Sequence, residues 1–197
     1  MMRPLIILLL ALIAAPAAAR SPGVVAQING KPAVERNGKT EVLQPGATLE
    51  VGDVLVTDAQ SKIRIVLADD SVLTLGPKTR LAVDAFTLHA KGRQGRLRAL
   101  AGSFKIAIAK LLSGQTDYEI RTTTAVIGVR GTIVWGDVEL DSICSLDGSV
   151  EVRSLVGTET AKLVAGQCVR QMGRGEPQPH TPSATELEEY LKAVTLD

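Results

Sequence analysis

Histidine is almost absent from this chain, which carries only His89 and His180 among its 197 residues. Neither histidine lies near a nucleophile motif, so a hydrolase with a histidine base has no support. Asp69 and Asp70 are adjacent and would point to opposite faces of a strand, so they do not make a catalytic carboxylate pair. The sequence therefore predicts a protein that is not an enzyme and that binds no cofactor and no metal.

Aromatic residues are also scarce, with two Phe, two Tyr and one Trp. A core must then be built mainly from Val, Ile, Leu and Ala, which are small enough to stack in successive coils. From about residue 23 to residue 171, short apolar or alternating runs are separated by glycines and Asn-Gly pairs, which is typical of strands and tight turns. No long helical period interrupts them, which excludes a parallel sheet linked by helices. We expect an all-β domain arranged as a β-solenoid-like stack of short strands, with a sandwich or a small barrel as alternatives.

The chain has almost no excess charge of either sign, since its 22 basic and 21 acidic residues give a net charge of +1. This balance argues against nucleic acid as a partner. Between Asp84 and Asp117, however, the sequence contains no acid. The basic residues of this stretch form a possible binding surface for an anionic glycan, or else an ordinary solvated loop and strand face. They are Lys91, Arg93, Arg96, Arg98, Lys105 and Lys110.

The N-terminus has the pattern of a secretory signal. Arg3 precedes an uninterrupted apolar run over residues 5–15, and three alanines then supply a cleavage site after Ala19. The run is too short to span a bilayer, and the residue directly after the cut is Arg20 rather than a cysteine that could carry a lipid anchor. Residues 1–19 are thus expected to be a cleaved signal peptide. The remaining chain is expected to be periplasmic or secreted and to have no transmembrane segment.

Two cysteines, Cys144 and Cys168, follow this signal. An exported protein meets an oxidising compartment, so the pair predicts a disulfide. Two buried free thiols are the alternative, and a metal site has less support because the sulfurs lack further ligands.

The last part of the chain changes character. Residues 171–182 are rich in Gly and Pro and indicate a linker. Ser183 and Glu186 then form a capping box, and apolar residues at helical spacing predict a short helix over residues 183–195. A helix of this length needs a docking surface. We expect it to cover a solenoid end or a sheet edge, with partner binding as the alternative.

Two segments carry a resemblance to a known family. Residues 122–132 read TTTAVIGVRGT, and residues 69–77 read DDSVLTLGP. Both resemble blocks of the FecR-domain family, in which a Thr-rich strand runs into Val-Arg-Gly-Thr and an Asp-Gly-Ser turn precedes an apolar strand and Gly-Pro. The similarity extends over most of residues 20–170, which we interpret as a FecR-like β domain. The matching motif residues are Asp69, Asp70, Ser71, Gly76, Pro77, Val129, Arg130, Gly131 and Thr132.

Asp70 stands where the family usually has glycine. The turn at this position must therefore place an aspartate in the left-handed region, or be formed differently. Arg130 is expected to satisfy turn carbonyls beside Gly131 or to pair with an acid such as Asp69. The alternative is that its guanidinium grips a carboxylate or a loop of a partner.

The resemblance implies an exported all-β domain without a known catalytic role. The best-known members are transmembrane regulators of iron uptake that signal from an outer-membrane receptor to a cytoplasmic sigma factor. This chain has a cleavable signal where those members have a cytoplasmic helical domain and a membrane span, so iron regulation is not carried over. The hypothesis is an exported, non-enzymatic binding or signalling module of the bacterial envelope that contacts an envelope protein. The alternative is a structural protein that binds cell wall or anionic glycan through residues 91–110.

Overall fold

The computed structural model describes residues 21–111, 114–172 and 177–196, so the predicted signal peptide lies outside the described residues. In the described part, sixteen strands numbered along the chain form two sheets, and one helix follows them. The seven-stranded sheet contains, in spatial order, β1 (Gly23–Asn29), β5 (Lys62–Leu67), β6 (Val72–Leu75), β9 (Ser103–Ala107), β12 (Ile133–Asp137), β13 (Ser142–Asp147) and β16 (Gln167–Arg170). The nine-stranded sheet contains β15 (Thr160–Val164), β14 (Ser149–Ser154), β11 (Ala125–Val129), β10 (Gln115–Arg121), β8 (Gly92–Ala101), β7 (Arg80–His89), β4 (Val54–Val56), β2 (Ala33–Arg36) and β3 (Lys39–Val42).

One hydrophobic core joins the two sheets, because inward-facing side chains from both belong to it. Alternation in the sequence decides which side chains these are. In β5, Ile63, Ile65 and Leu67 are buried between more exposed neighbours, and β14 buries Val150 and Val152 in the same way. The core is built mostly from Val, Ile and Leu, as the composition requires.

The all-β class and the short C-terminal helix are confirmed. The order of strands along each sheet follows the order along the chain, except that β3 lies outside β2. Neighbouring strands are nevertheless antiparallel, apart from the parallel pair β8 and β10. No repeated coil is identified in the described residues, so the solenoid-like stack stays a prediction.

Two predicted turn features are present. Asn37 and Gly38 have φ of 51° and 74° and connect β2 to β3 as a two-residue hairpin. Asp70, between β5 and β6, has φ of 65°, so an aspartate does occupy the left-handed position where the family usually has glycine.

The basic stretch of the sequence is mostly strand rather than loop. Ten of its residues form β8, which pairs with β7 on one side and with β10 on the other. The central position of β8 in the nine-stranded sheet therefore fixes the directions in which Arg93, Arg96 and Arg98 point.

The helix α1 (Ala184–Ala193) lies on the outer face of the seven-stranded sheet. Ser183 and Glu186 form the predicted capping box. Tyr190 stacks on Trp135 with ring centroids 4.1 Å apart, and both pack beside the Cys144–Cys168 disulfide. The helix thus covers a sheet face, and the expectation that it covers a sheet edge is wrong. The physical reason is that this face carries the only Trp of the chain, which needs burial.

The disulfide links two directly opposed residues of β13 and β16, whose Cα atoms are 4.0 Å apart. His180 pairs with Cys168 through two backbone hydrogen bonds, so this part of the predicted linker is bound to the sheet. Among the described residues there is no helix with the length and apolar character that a bilayer span requires.

Two further contacts hold the C-terminal end of α1. The Lys62 ammonium donates to the carbonyls of Lys192 and Thr195, each at 2.8 Å. Gly76 allows the end of α1 to lie close to the sheet, because a Cβ at this position would lie 2.2 Å from Ser103 Oγ and 2.9 Å from the Ala193 carbonyl oxygen. The Gly-Pro motif residue Gly76 is therefore explained by packing against the helix.

Replacing Tyr190 with Ala should release α1 from the sheet. We expect a red-shifted emission of Trp135, the single tryptophan, and a loss of about 3 kcal/mol in the free energy of unfolding. Tyr190→Phe is the matched control, because it keeps the stacked ring and removes only the hydroxyl. Tryptophan fluorescence during denaturant unfolding measures both quantities, and an unchanged emission maximum in Tyr190→Ala would contradict the placement of the helix.

Candidate functional site

Tyr118 on β10 connects the two family segments. Its backbone lies opposite Val129 on β11, and its hydroxyl donates a 2.7 Å hydrogen bond to Asp69 Oδ2 in the β5–β6 turn. The segments at residues 69–77 and 122–132 are thus parts of one connected structure, although about fifty residues separate them in sequence.

Asp69 lies at the centre of a buried polar network. Its Oδ2 lies 2.9 Å from Arg93 Nη1 and also accepts the Ser71 hydroxyl at 3.0 Å, while its Oδ1 accepts the Ser71 amide at 3.1 Å. The side chains of Asp69 and Arg93 are 1% and 0% exposed. Two charges without water must be paired and hydrogen-bonded, and this carboxylate has a partner for both oxygens.

Arg93 uses its remaining donors to bind the backbone of two segments next to the seven-stranded sheet and one side chain of β10. Its guanidinium donates to the carbonyls of Asp69 and Ala109, and its Nε donates to Thr116 Oγ1 at 3.2 Å. Arg93 is therefore not part of an exposed basic surface, and that prediction is wrong for this residue. The reason is register: Arg93 shares the inward phase of β8 with Leu97 and Ala99.

The Tyr118 hydroxyl is held in its neutral form. Burial raises the pKa of Tyr118 strongly, and the hydrogen bond to the Asp69 carboxylate raises the pKa further. A neutral phenol is the form that can donate to a carboxylate, so burial and hydrogen bonding favour the same state.

The other predicted basic residues are distributed over different parts of the surface. Lys91 is exposed. On the nine-stranded sheet, Arg96 pairs with Asp117 at 2.6 Å and Arg98 with Asp84 at 2.7 Å. Lys110 lies 3.3 Å from Asp147, and Lys105 lies on the seven-stranded sheet. The six residues do not form one continuous basic surface.

Most of the remaining motif residues have structural explanations. Ser71 and Val129 are fully buried, and Pro77 lies in the turn before β7. Gly131 has φ of 65° and turns the chain after β11. Thr132 is buried, and its hydroxyl has no hydrogen-bond partner in the part of the chain that the structure describes.

Arg130 differs from these residues because it is exposed and makes no hydrogen bond or ion pair with any described residue. Both expected roles, bonding turn carbonyls and pairing with Asp69, are therefore wrong. Asp69 is occupied by Arg93. The electrostatic influence of Arg130 reaches Asp117, whose pKa is lowered first by Arg96, then by Gln94, and also by Arg130.

Arg130 lines a shallow groove of about 440 Å³ on the outer face of the nine-stranded sheet. The floor of the groove contains Gly128, which lies opposite Glu119 on β10 and Glu151 on β14. A Cβ at Gly128 would meet only the Glu151 carbonyl oxygen, at 3.9 Å. Neither a positive φ nor crowding within the chain requires glycine here. The missing side chain leaves room for an approaching ligand.

The walls of the groove carry charges of both signs. Glu119 and Glu151 flank Gly128, and Arg153 and Lys162 stand on the neighbouring strands. Arg153 approaches Glu151 only to 3.8 Å, and both side chains are more than half exposed. This arrangement suits recognition of a polar surface. The described residues hold no group of three or more His, Cys, Asp or Glu side chains placed to bind a metal ion.

Sequence reasoning missed the burial of Arg93 and the opening at Gly128. The alternation of Arg93, Gly95, Leu97 and Ala99 was a usable signal for the first. The opening at Gly128 had no signal in the sequence, because the role of a glycine in a strand becomes clear only when its cross-strand neighbours are known.

The comparisons with known proteins agree with these motifs. The sequence model of a family described as FecR protein matches residues 53–158, a span that contains both segments. The chain belongs to the FecR family. A search of curated proteins found no match.

Two crystal structures of candidate anti-sigma factors from Parabacteroides distasonis ATCC 8503 share the fold. They match with TM-scores of 0.55 and 0.53 at 17% and 18% identity. The matches cover 70% and 69% of this chain and 64% and 62% of the solved chains, so this chain spans less than two thirds of their length. At this identity the likeness concerns the fold alone.

Removal of the Tyr118 hydroxyl should weaken the protein in a pH-dependent way. At pH 7, Tyr118→Phe should lower the free energy of unfolding by about 2 kcal/mol, because a hydrogen bond to a buried carboxylate is lost. The folded-state pKa of Tyr118 lies above its ordinary value of about 10, so the wild type loses this advantage as the pH rises above about 10. Denaturant unfolding at pH 7 and pH 11 should show the difference between the two proteins shrinking, and a constant or growing difference would contradict the network.

Proposed function

We propose that this FecR-family protein is an exported, non-enzymatic binding or signalling module of the bacterial envelope that acts through protein–protein contacts. The contact surface is the groove around Gly128 and Arg130 on the nine-stranded sheet. Family membership and the signal-like N-terminus support export to the envelope, and the groove supports recognition.

A single observation carries the proposal. Within the family segment at residues 122–132, Gly128 and Arg130 are the outward-facing positions of β11 and its turn whose chemistry no described contact explains. Val129 is buried and Gly131 turns the chain, so both serve the fold. An exposed guanidinium next to an open groove is a usual element of a recognition surface.

The partner group that fits Arg130 is a carboxylate. A guanidinium offers paired donors that match a carboxylate in a two-bond geometry. Lys162 and Arg153 add positive potential on the far side of the groove, while Glu119 and Glu151 repel an acid that is wrongly placed. We infer a partner segment with an acidic side chain that meets Arg130 and a small or basic one over Gly128.

A regulatory role is consistent with the relatives. The structural neighbours are described as candidate anti-sigma factors, and we infer that this FecR domain acts by contacting another protein. The partner we propose is an envelope protein.

Arg130→Ala should abolish this contact while leaving the fold unchanged. Tagged protein recovered from periplasmic extract should retain a defined partner, and the recovered amount should fall at least about tenfold in Arg130→Ala. Arg121→Ala is the matched control, because Arg121 is an exposed arginine on the adjacent strand that does not line the groove. Gly128→Val should block binding equally without loss of thermal stability. Equal recovery with all four proteins, or loss of the partner only in Arg121→Ala, would overturn the assignment of the groove.

Export makes a separate prediction. When the whole chain is expressed in a bacterium, the protein in the periplasmic fraction should have the intact mass of a chain that begins at Arg20. Replacing Ala17 and Ala19 with Leu should block the cleavage, because the cleavage site requires small residues. A full-length mass, or recovery from the cytoplasm alone, would refute export.

A further inference from the structure

A second surface lies on the outer face of the seven-stranded sheet, beside α1. Five apolar residues stand directly opposite one another across five neighbouring strands and form a continuous row. We call this the apolar row; it consists of Val24, Val66, Val72, Ala107 and Ile133. Val24 is 36% exposed and the others are partly exposed, so the row is open along its length.

Two cations border this row, and no acid of the described residues pairs with either of them. Arg64, Thr74 and Lys105 are directly opposed on β5, β6 and β9, two residues along each strand from the apolar row and therefore on the same outer face. Arg64 donates to Gln27 Oε1 at 3.0 Å, and Lys105 makes no hydrogen bond or ion pair with the described residues. Burial lowers the pKa of Lys105, and the nearby Arg64 charge lowers it further. A half-buried ammonium whose charged neighbour is also a cation favours the approach of an anionic group.

The same sheet face already shows what kind of element it binds. On the adjacent strip, α1 places Tyr190 and Val194 against Trp135 and the disulfide. Its acidic residue Glu186 pairs with Arg170 on β16, at one end of the helix. At the other end, the Lys62 ammonium on β5 donates hydrogen bonds to the carbonyls of Lys192 and Thr195. An apolar strip flanked by strand cations thus holds an acidic amphipathic helix.

The apolar row is likewise an apolar strip flanked by cations on strands, and it lies directly beside the strip that α1 covers. Because α1 is fixed at β16 and at β5, it crosses the strands, and the apolar row crosses them in the same way. Successive outward rows are about 7 Å apart along the strands, and two packed helices lie about 8–10 Å apart. A second helix placed beside α1 would therefore rest on the apolar row. The row spans four strand spacings, about 19 Å, which is the length of a helix of about 13 residues.

We propose that the surface made of the apolar row with Arg64 and Lys105 binds an acidic amphipathic helix of a partner protein. The apolar face of that helix would cover Val66, Val72 and Ile133, and its acids would meet Arg64 and Lys105. This surface lies on a different sheet from Arg130, so the proposal does not depend on the function of the groove.

The test uses a peptide with the sequence of residues 183–196 as a model acidic helix. A control peptide carries Gln at the positions of Glu186, Glu188 and Glu189, which keeps the apolar face and the cap but removes the acids. Methyl NMR of the whole protein should show shifts of Val66, Val72 and Ile133 when the acidic peptide is added. The control peptide should bind at least tenfold more weakly. A protein with Arg64→Ala and Lys105→Ala should lose binding at least tenfold, whereas Lys91→Ala, an exposed lysine elsewhere, should bind normally.

Each other result contradicts the proposal. If millimolar peptide causes no methyl shifts, the surface does not bind an acidic helix. If both peptides bind equally, Arg64 and Lys105 do not recognise acids and the surface is only an apolar patch. Shifts confined to the methyl groups of Val194 and Leu146, which pack in the same cluster as Trp135 and Tyr190, would mean displacement of α1. Binding to vesicles of phosphatidylglycerol and phosphatidylcholine without peptide binding would assign the surface to lipid. A dimer in sedimentation that Val72→Asp dissolves would assign it to a second copy of the chain. Circular dichroism of each variant verifies that the fold is retained.

Discussion

The buried ion pair between Asp69 and Arg93 is the interaction on which the rest of this structure depends. It joins the β5–β6 turn of one sheet to β8 of the other, and through Tyr118 it reaches β10. Removing one member would leave an unpaired charge in the core, which lowers the free energy of unfolding by about 3–5 kcal/mol. The pair therefore fixes the position of β10 and β11, and with them the turn that presents Arg130.

The residues of the two family segments fall into an inward-facing group that stabilises the fold and an outward-facing group. Asp69, Ser71 and Gly76 serve internal hydrogen bonds and the close approach of α1, while Gly128 and Arg130 face outward. The two surfaces that we assign to partners lie on the outer faces of different sheets. Tyr118 and Thr116 of the Asp69 network contribute to the lining of the groove. The proposed recognition residues Gly128, Arg130, Arg64 and Lys105 make no contact within that network, so substitutions at them should leave the core unchanged.

How much the sequence could predict depended on the range of the interactions. Asn37-Gly38 and the alternation in β5 are local signals, and each was read correctly because φ preferences and period-two burial act within a few residues. At Asp70 the structure selects the left-handed aspartate from the two alternatives that the sequence left open. The disulfide was also predictable, from the signal-like N-terminus and the even number of cysteines. Arg93 was assigned to the wrong environment because its partners Asp69 and Thr116 lie more than twenty residues away in the sequence. Arg130 was expected to pair with Asp69, which is paired with Arg93 instead. The docking of α1 on a face rather than an edge depended on where Trp135 lies in the assembled sheet.

A double-mutant cycle on Asp69 and Arg93 tests the central claim most directly. Free energies of unfolding would be measured for the wild type, Asp69→Asn, Arg93→Met and the double variant. The account predicts that each single change costs about 3 kcal/mol or more, and that the double variant is more stable than the sum of the two losses implies by about 2 kcal/mol. Additive losses, with a coupling energy near zero, would contradict a buried pair that organises the two sheets.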